Sequence, residues 1–115
     1  METEEAGKEF KKRAVAINKK ISEISKSDSR VAIVGTVIDV DDKNFVFTLD
    51  DSSKKVNVIL LDEQLIHKAK AGKILRVIGV VIAGESGIEL KGEIVQDFTG
   101  LNVEYYNNYL ELAKQ

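Results

Sequence analysis

The run VAIVGTVIDV, Val31–Val40, constrains the fold more than any other part of this 115-residue chain. Its apolar, mostly β-branched residues fall on both parities, so a strand here has no polar face and needs cover on both sides over part of its length. Gly35 within it marks a bulge or a sharp bend. Around it the chain alternates with a period of two. DDKN, Asp41–Asn44, supplies turn residues, and Asn44–Asp50 and Val56–Leu61 form a hairpin. Phe45, Phe47 and Leu49 share one face of its first strand, and Val56, Val58 and Leu60 share one face of its second. Thr48, Asn57 and Ile59 then point the other way.

Asp62–Gly72 changes period to a short helix or pair of turns, with Asp62 as N-cap, an apolar edge of Leu65, Ile66 and Ala69, and Gly72 as stop. Lys73–Ala83 returns to strand with a second interior bend at Gly79. GESG, Gly84–Gly87, is a hairpin turn, and IELKGEIV then alternates with Ile88, Leu90, Gly92 and Ile94 inward. A sheet so short, with a first strand greasy on both sides, must curl and close, which also removes most exposed edges. Five strands with a helix between the third and fourth is the element order of an OB-fold barrel.

Both ends read as helical. Phe10, Ala14, Ile17, Ile21 and Ile24 recur on one helical face from Glu4 to about Ser25, where KSDSR stops the helix. Such a helix caps the domain or serves as a mobile, partner-seeking arm. In the tail, Asn102 is an N-cap and Glu104 suits the positive end of the helix dipole. Val103, Tyr106, Leu110 and Ala113 form a heptad-like seam, with Tyr105, Tyr109 and Leu112 as a second stripe beside it. Docking on its own domain uses one stripe; two stripes admit an oligomerisation face or a helix laid deep in its own core. The expected organisation is a mainly β chain: an amphipathic arm over 1–28, a five-stranded OB barrel over 29–98 and a C-terminal helix over 99–115.

Composition narrows function. Hydrophobic residues make up 43% and charged residues 31%, as in a soluble globular domain. Lys, Glu and Ile richness points to a heat-adapted source, and the absence of proline points away from one. No apolar run reaches membrane-spanning length, and the acidic start differs from a secretory or transit signal, so the expectation is an intracellular protein with no membrane partner. There is no cysteine and one histidine, His67, which excludes disulfides and Cys/His zinc sites. The acid pairs Asp41–Asp42 and Asp50–Asp51 lie in turns, where solvated carboxylates are the default, and His67 sits among lysines. No phosphate-cradling glycine motif occurs. No catalytic residue, metal ligand or cofactor is expected, and the chain is not read as an enzyme. A net charge of −2 and the absence of tryptophan argue against a strong solitary nucleic-acid binder.

Taken together, VAIVGTV (Val31–Val37), LDD (Leu49–Asp51), VIG (Val77–Gly79) and the helix that follows resemble the small and middle subunits of replication protein A and their archaeal relatives, over about Arg30 to Leu112. The resemblance implies a structural subunit of a heterotrimeric single-stranded-DNA-binding complex. Its last helix would join larger OB-fold subunits through Val103, Tyr105, Tyr106, Tyr109, Leu110, Leu112 and Ala113. DNA would pass over the outer face of the hairpin, past Thr48, Lys54, Lys55, Asn57 and Ile59, with Lys43, Arg76 and Lys91 extending the track if their strands face the same way. Departures from the family accompany this. Ile59 stands where DNA-gripping members place a base-stacking aromatic, and none occurs near Gly84. Each missing stack forfeits about 1–3 kcal/mol, so this chain alone should bind single strands weakly. A stand-alone single-strand-binding homo-oligomer and an OB-fold protein-interaction module remain open, as do roles in replication, repair or at chromosome ends.

Overall fold

A computed structural model describes residues 16–84 and 87–113, with the backbone alone at 113. Val31, Ala32, Ile33 and Val34 are all buried because their strand, β2 (Arg30–Asp41), is covered on both faces. It pairs over Arg30–Thr36 with β5 (Ile74–Gly84), and along its other edge over Thr36–Asp41 with β3 (Val46–Asp50). From β3 the sheet continues to β4 (Lys55–Leu60), then to β6 (Gly87–Asp97), and through β6 back to β5. Only the β4–β6 pairing is parallel within this circuit, and the five strands close a barrel. A 3-10 helix, Glu63–Lys68, links β4 to β5, with the Asp62 carboxylate accepting the Gln64 amide as its N-cap. Alternate residues point in: Val31, Ile33 and Val37 meet Phe47, Leu49, Val58, Leu75, Val77 and Leu90 in one apolar core.

Two departures from strict alternation shape the barrel. In β2 the register against β3 slips between Val37 and Asp39, so the bulge falls at Ile38 and not at Gly35. In β6 the slip lies opposite Ile78 and Gly79, where Glu93 is the extra residue, its carboxylate held by Arg30 at 2.8 Å. One inserted residue flips every side chain beyond it. Ile94, expected inward, is therefore 42% exposed, and Val95 takes its place in the core. Gly79 sits so close to β6 that a Cβ there would lie 2.5 Å from the Lys91 carbonyl oxygen.

The amino-terminal helix expected to run to Ser25 is corrected over its described part. Ile17–Asn18 is instead β1, paired in parallel with Val31–Ala32 of β2, and Ile21–Glu23 is one 3-10 turn. The physical reason is an open strand edge: β3 leaves β2 unpaired before Thr36, and backbone pairing there outweighs helical periodicity. Ile21 and Ile24 still bury as the apolar stripe requires, now as a plug on the barrel. Phe10, Ala14 and the rest of the arm lie outside the described residues. At the other end, α1 (Val103–Ala113) starts where the Asn102 side chain accepts the Tyr105 amide at 3.0 Å, and it packs on β2 outside the barrel. Leu110 is buried there, as are Ala32 and Val34, apart from the main core.

Candidate nucleic-acid interface

The outer face of β3, β4 and β6 is built by the residues that alternate with the core. Val46 lies opposite Ile59, Thr48 opposite Asn57, and Asp50 opposite Lys55. The parallel β4–β6 register then sets Asn57 beside Glu89 and Ile59 beside Lys91. Thr48, Asn57, Ile59 and Lys91 thus form one contiguous, half-buried surface, with the Thr48 hydroxyl donating to the Asn57 amide oxygen at 2.8 Å. Lys54 and Lys55 stand exposed at one end and Lys43 at the other, in the β2–β3 turn.

This surface is not a positive stripe. Asp50 and Glu89 interleave with Lys55 and Lys91, so its charges nearly cancel, and its centre is aliphatic. Phosphate contacts supply most of the affinity of nonspecific nucleic-acid binding, and bases need a ring to stack on. This face offers little of either. Phe47 is buried inside the barrel. Phe45 is not in the strand at all: it closes the β2–β3 turn with a left-handed backbone, φ 56°, and its half-buried ring packs against the core.

Arg76 lies elsewhere. It faces outward on β5, whose neighbours are β2 and β6, and its guanidinium donates to Gln96 Oε1 at 2.9 Å and Asn18 Oδ1 at 3.3 Å. Its register partners are Val34 and Gln96, so it stands with β2, β6 and the amino-terminal segment and apart from the β3–β4 hairpin. It lies instead beside Tyr106 of α1, whose phenol burial pushes up above its ordinary pKa of 10.0, against the lowering effect of that guanidinium.

The acid pairs part company. Asp41 is exposed and closes its turn by accepting from Lys43 and Asn44. Asp51 is not the solvated turn acid expected: it is 1% exposed. Its Oδ1 accepts from the Ser53 amide at 2.9 Å, the Ser53 hydroxyl at 2.6 Å and the Lys54 amide at 3.2 Å. Its Oδ2 accepts the Ile21 amide at 2.8 Å, and its carbonyl accepts Asn107 Nδ2 at 2.7 Å. One residue thereby ties the amino-terminal segment, the β3–β4 turn and α1 together. The local part of this pattern, an acid followed by Ser-Ser-Lys, is a turn signal in the sequence; the bonds across 30 and 56 positions are not.

A groove of about 860 Å³ runs between the far half of β2 and the Glu63–Lys68 turn. Exposed His67 lines it with Asp39, Asp42 and Glu63 over a floor that includes Val40, Phe45 and Ile66. No group of three or more potential metal ligands occurs among the described residues, and no helix among them is long and apolar enough to cross a membrane.

On α1 the two stripes separate. Leu110 is 6% exposed and Tyr106 half-buried, facing the barrel, whereas Tyr105, Tyr109 and Leu112 are 75%, 62% and 69% exposed. Lys20 reaches Glu111 at 3.0 Å and fastens the helix beside the amino-terminal segment.

No protein-family model matches the chain, and no curated protein does. Solved structures do. The telomere capping protein Ten1 of Saccharomyces pombe superposes with a TM-score of 0.67 at 18% identity, covering 87% of this chain and 98% of Ten1. The second OB-fold domain of replication protein A from Methanococcus maripaludis gives 0.59 at 23% identity, covering 71% of this chain and 95% of that domain. Asparaginyl-tRNA synthetase from Pyrococcus horikoshii gives 0.62 at 18% identity over 74% of this chain, which spans 24% of the synthetase. At such identities the likeness establishes architecture: this chain is a five-stranded OB-fold barrel with one added strand and a C-terminal helix.

Proposed function

We propose that this chain is a structural subunit of a single-stranded-DNA-binding assembly of the replication protein A type. In this reading α1 joins it to a larger OB-fold subunit, and the β3–β4–β6 face adds a weak contact to DNA. The observation that carries the reading is the division of labour on α1. One apolar stripe is spent on the chain's own barrel, and Tyr105, Tyr109 and Leu112 stand bare beside it. Exposed aromatics gathered on one helix face favour association, since Tyr buries much area at little entropic cost. The OB-fold likeness to Ten1 and to a replication protein A domain supports this class of role. A second reading, an OB-fold interaction module that touches no nucleic acid, is favoured by the cancelling charges of Asp50, Lys55, Glu89 and Lys91.

Sedimentation velocity and oligonucleotide anisotropy test the proposal together. The full-length chain alone should self-associate, and co-expression with its larger OB-fold partner should give a defined complex. Tyr105→Ser/Tyr109→Ser/Leu112→Ser should abolish both forms of association while leaving the melting temperature nearly unchanged. A chain that stays monomeric at high concentration and pairs with no OB-fold subunit refutes the assembly role. Salt-sensitive sub-micromolar binding by the isolated chain would make it a stand-alone binder instead.

A further inference from the structure

A second concavity, about 250 Å³, opens where the segment after the Ile21–Glu23 turn, the β3–β4 turn and the start of β6 meet. Its charged lining consists of Lys26, Lys54 and Lys55, with no acid among the described residues that form it. None of the three ammonium groups has an ion-pair or hydrogen-bond partner among the described residues. Between them lie Val56 and Ile88.

A lysine and an adjacent lysine pair from distant parts of the chain do not gather of their own accord. Here the gathering is enforced. The Asp51 carboxylate binds the Ile21 amide and the Lys54 amide, and the Ser53 hydroxyl accepts the Ser22 amide at 3.1 Å, which fixes the Lys26 segment against the turn that bears Lys54 and Lys55. The result is a group of three cations with no ion-pair partner among the described residues, set around an apolar floor.

An anion that satisfies it needs more than one charge and an apolar flank. A terminal phosphomonoester carries about −1.5 to −2 at neutral pH, against −1 for a phosphodiester within a strand. The cleft lies just below the range of about 300–1,000 Å³ typical of small-molecule sites, which suits a phosphate with part of one nucleoside. Lys55 belongs both to this cleft and to the end of the β3–β4–β6 face, so a strand lying on that face leads into it. We propose that the cleft receives the phosphorylated end of a single strand, its phosphomonoester among Lys26, Lys54 and Lys55 and its last nucleoside against Val56 and Ile88. The inference rests on the reading of the outer face as a nucleic-acid path.

The test compares oligothymidylates of about ten nucleotides, within the span of one OB-fold, bearing a 5′-phosphate, a 3′-phosphate or hydroxyls at both ends. Anisotropy with the full chain should show one phosphorylated form bound about tenfold tighter than the hydroxyl form, as added charge-assisted contacts allow. Lys26→Ala/Lys54→Ala should erase that preference and melt with the parent, since both side chains are exposed, and Lys26→Ala alone, off the outer face, should reduce it while changing hydroxyl-ended binding by no more than about twofold. Equal affinity of all three oligonucleotides, or a preference that survives in the double variant, overturns the proposal. If no oligonucleotide binds, the outer-face reading fails and the cleft is judged by itself. Thymidine 5′-monophosphate should then still move the amide resonances of Lys26, Lys54 and Ile88 in the parent and not in the double variant; no movement overturns the cleft as well.

Discussion

Asp51→Asn is the most informative single change, because it alters one atom and leaves the shape. Whichever way the new amide is placed, an NH2 faces donors. Turned toward the amino-terminal segment it meets the buried Ile21 amide; turned the other way it meets the Ser53 amide and hydroxyl and the Lys54 amide. A hydrogen bond to a charged group contributes about 1.5–3 kcal/mol net, and a buried donor left unpaired costs about 1–3 kcal/mol. Losing one Oδ2 bond and weakening the Oδ1 set from charged to neutral therefore destabilises by about 3 kcal/mol. For a domain of this size that lowers the melting temperature by about 10–15 °C. The adjacent Asp50→Asn is the internal control, since the half-buried Asp50 carboxylate accepts only the Ser52 amide among the described residues and its loss should cost less than about 1 kcal/mol. Circular dichroism melts and urea titrations of both variants give the comparison. Hydrogen exchange should also show the Ile21 amide losing protection in Asp51→Asn alone. If that variant melts within about 3 °C of the parent, or no further from it than Asp50→Asn does, the reasoning about a buried three-segment tie is wrong.

Three further outcomes are expected. Ile59→Tyr should add a stacking platform to the outer face and strengthen oligothymidylate binding by about 1–3 kcal/mol, read by anisotropy; unchanged affinity would show that bases do not pass there. Gly79→Ala places a methyl 2.5 Å from the Lys91 carbonyl oxygen and should cost about 3 kcal/mol in urea unfolding, because two paired strands must separate to admit it. Acid should destabilise the fold with a predictable sign. Hydrogen bonds from Ser25 and Lys19 hold the Asp28 carboxyl below its ordinary 3.8, the Asn44 side chain and amide do so for Asp41, and Thr99 with Lys73 does so for Asp97. The unfolded chain then takes up protons first, so this stability is present above about pH 4 and is lost as pH falls through the lower folded values. Replacing all three with Asn should flatten the acid limb of urea midpoints measured from neutral pH downward, and an unchanged limb would contradict the assignment.

Local patterning determined much of this protein. Period-two alternation places Phe47, Leu49, Val56 and Val58 inside and Thr48, Asn57 and Ile59 outside because a pleated strand has only two faces. The doubly apolar run at Val31–Val34 requires a strand with cover on both sides, and curling into a barrel with a helix outside provides it. The Asn102 and Asp62 caps are equally local, since their partners lie two or three positions away. What tertiary structure decided lies wherever a partner comes from far along the chain. Ile17 and Asn18 became a strand because β2 had a free edge, although their spacing is helical. Glu93 inserts into β6 and turns Ile94 outward, which no alternation rule reports from one strand alone. Arg76 stands beside Gln96 and Asn18 because β5 is placed by its pairing with β2 and β6 and not by its own charge. Asp51, one of two like residues in one turn, is buried because the amides of Ile21 and Lys54 converge on it; the same convergence brings Lys26 to Lys54 and Lys55. Hydrophobic period is a property of neighbours in sequence, whereas register, bulges and the meeting of charges are properties of the closed barrel.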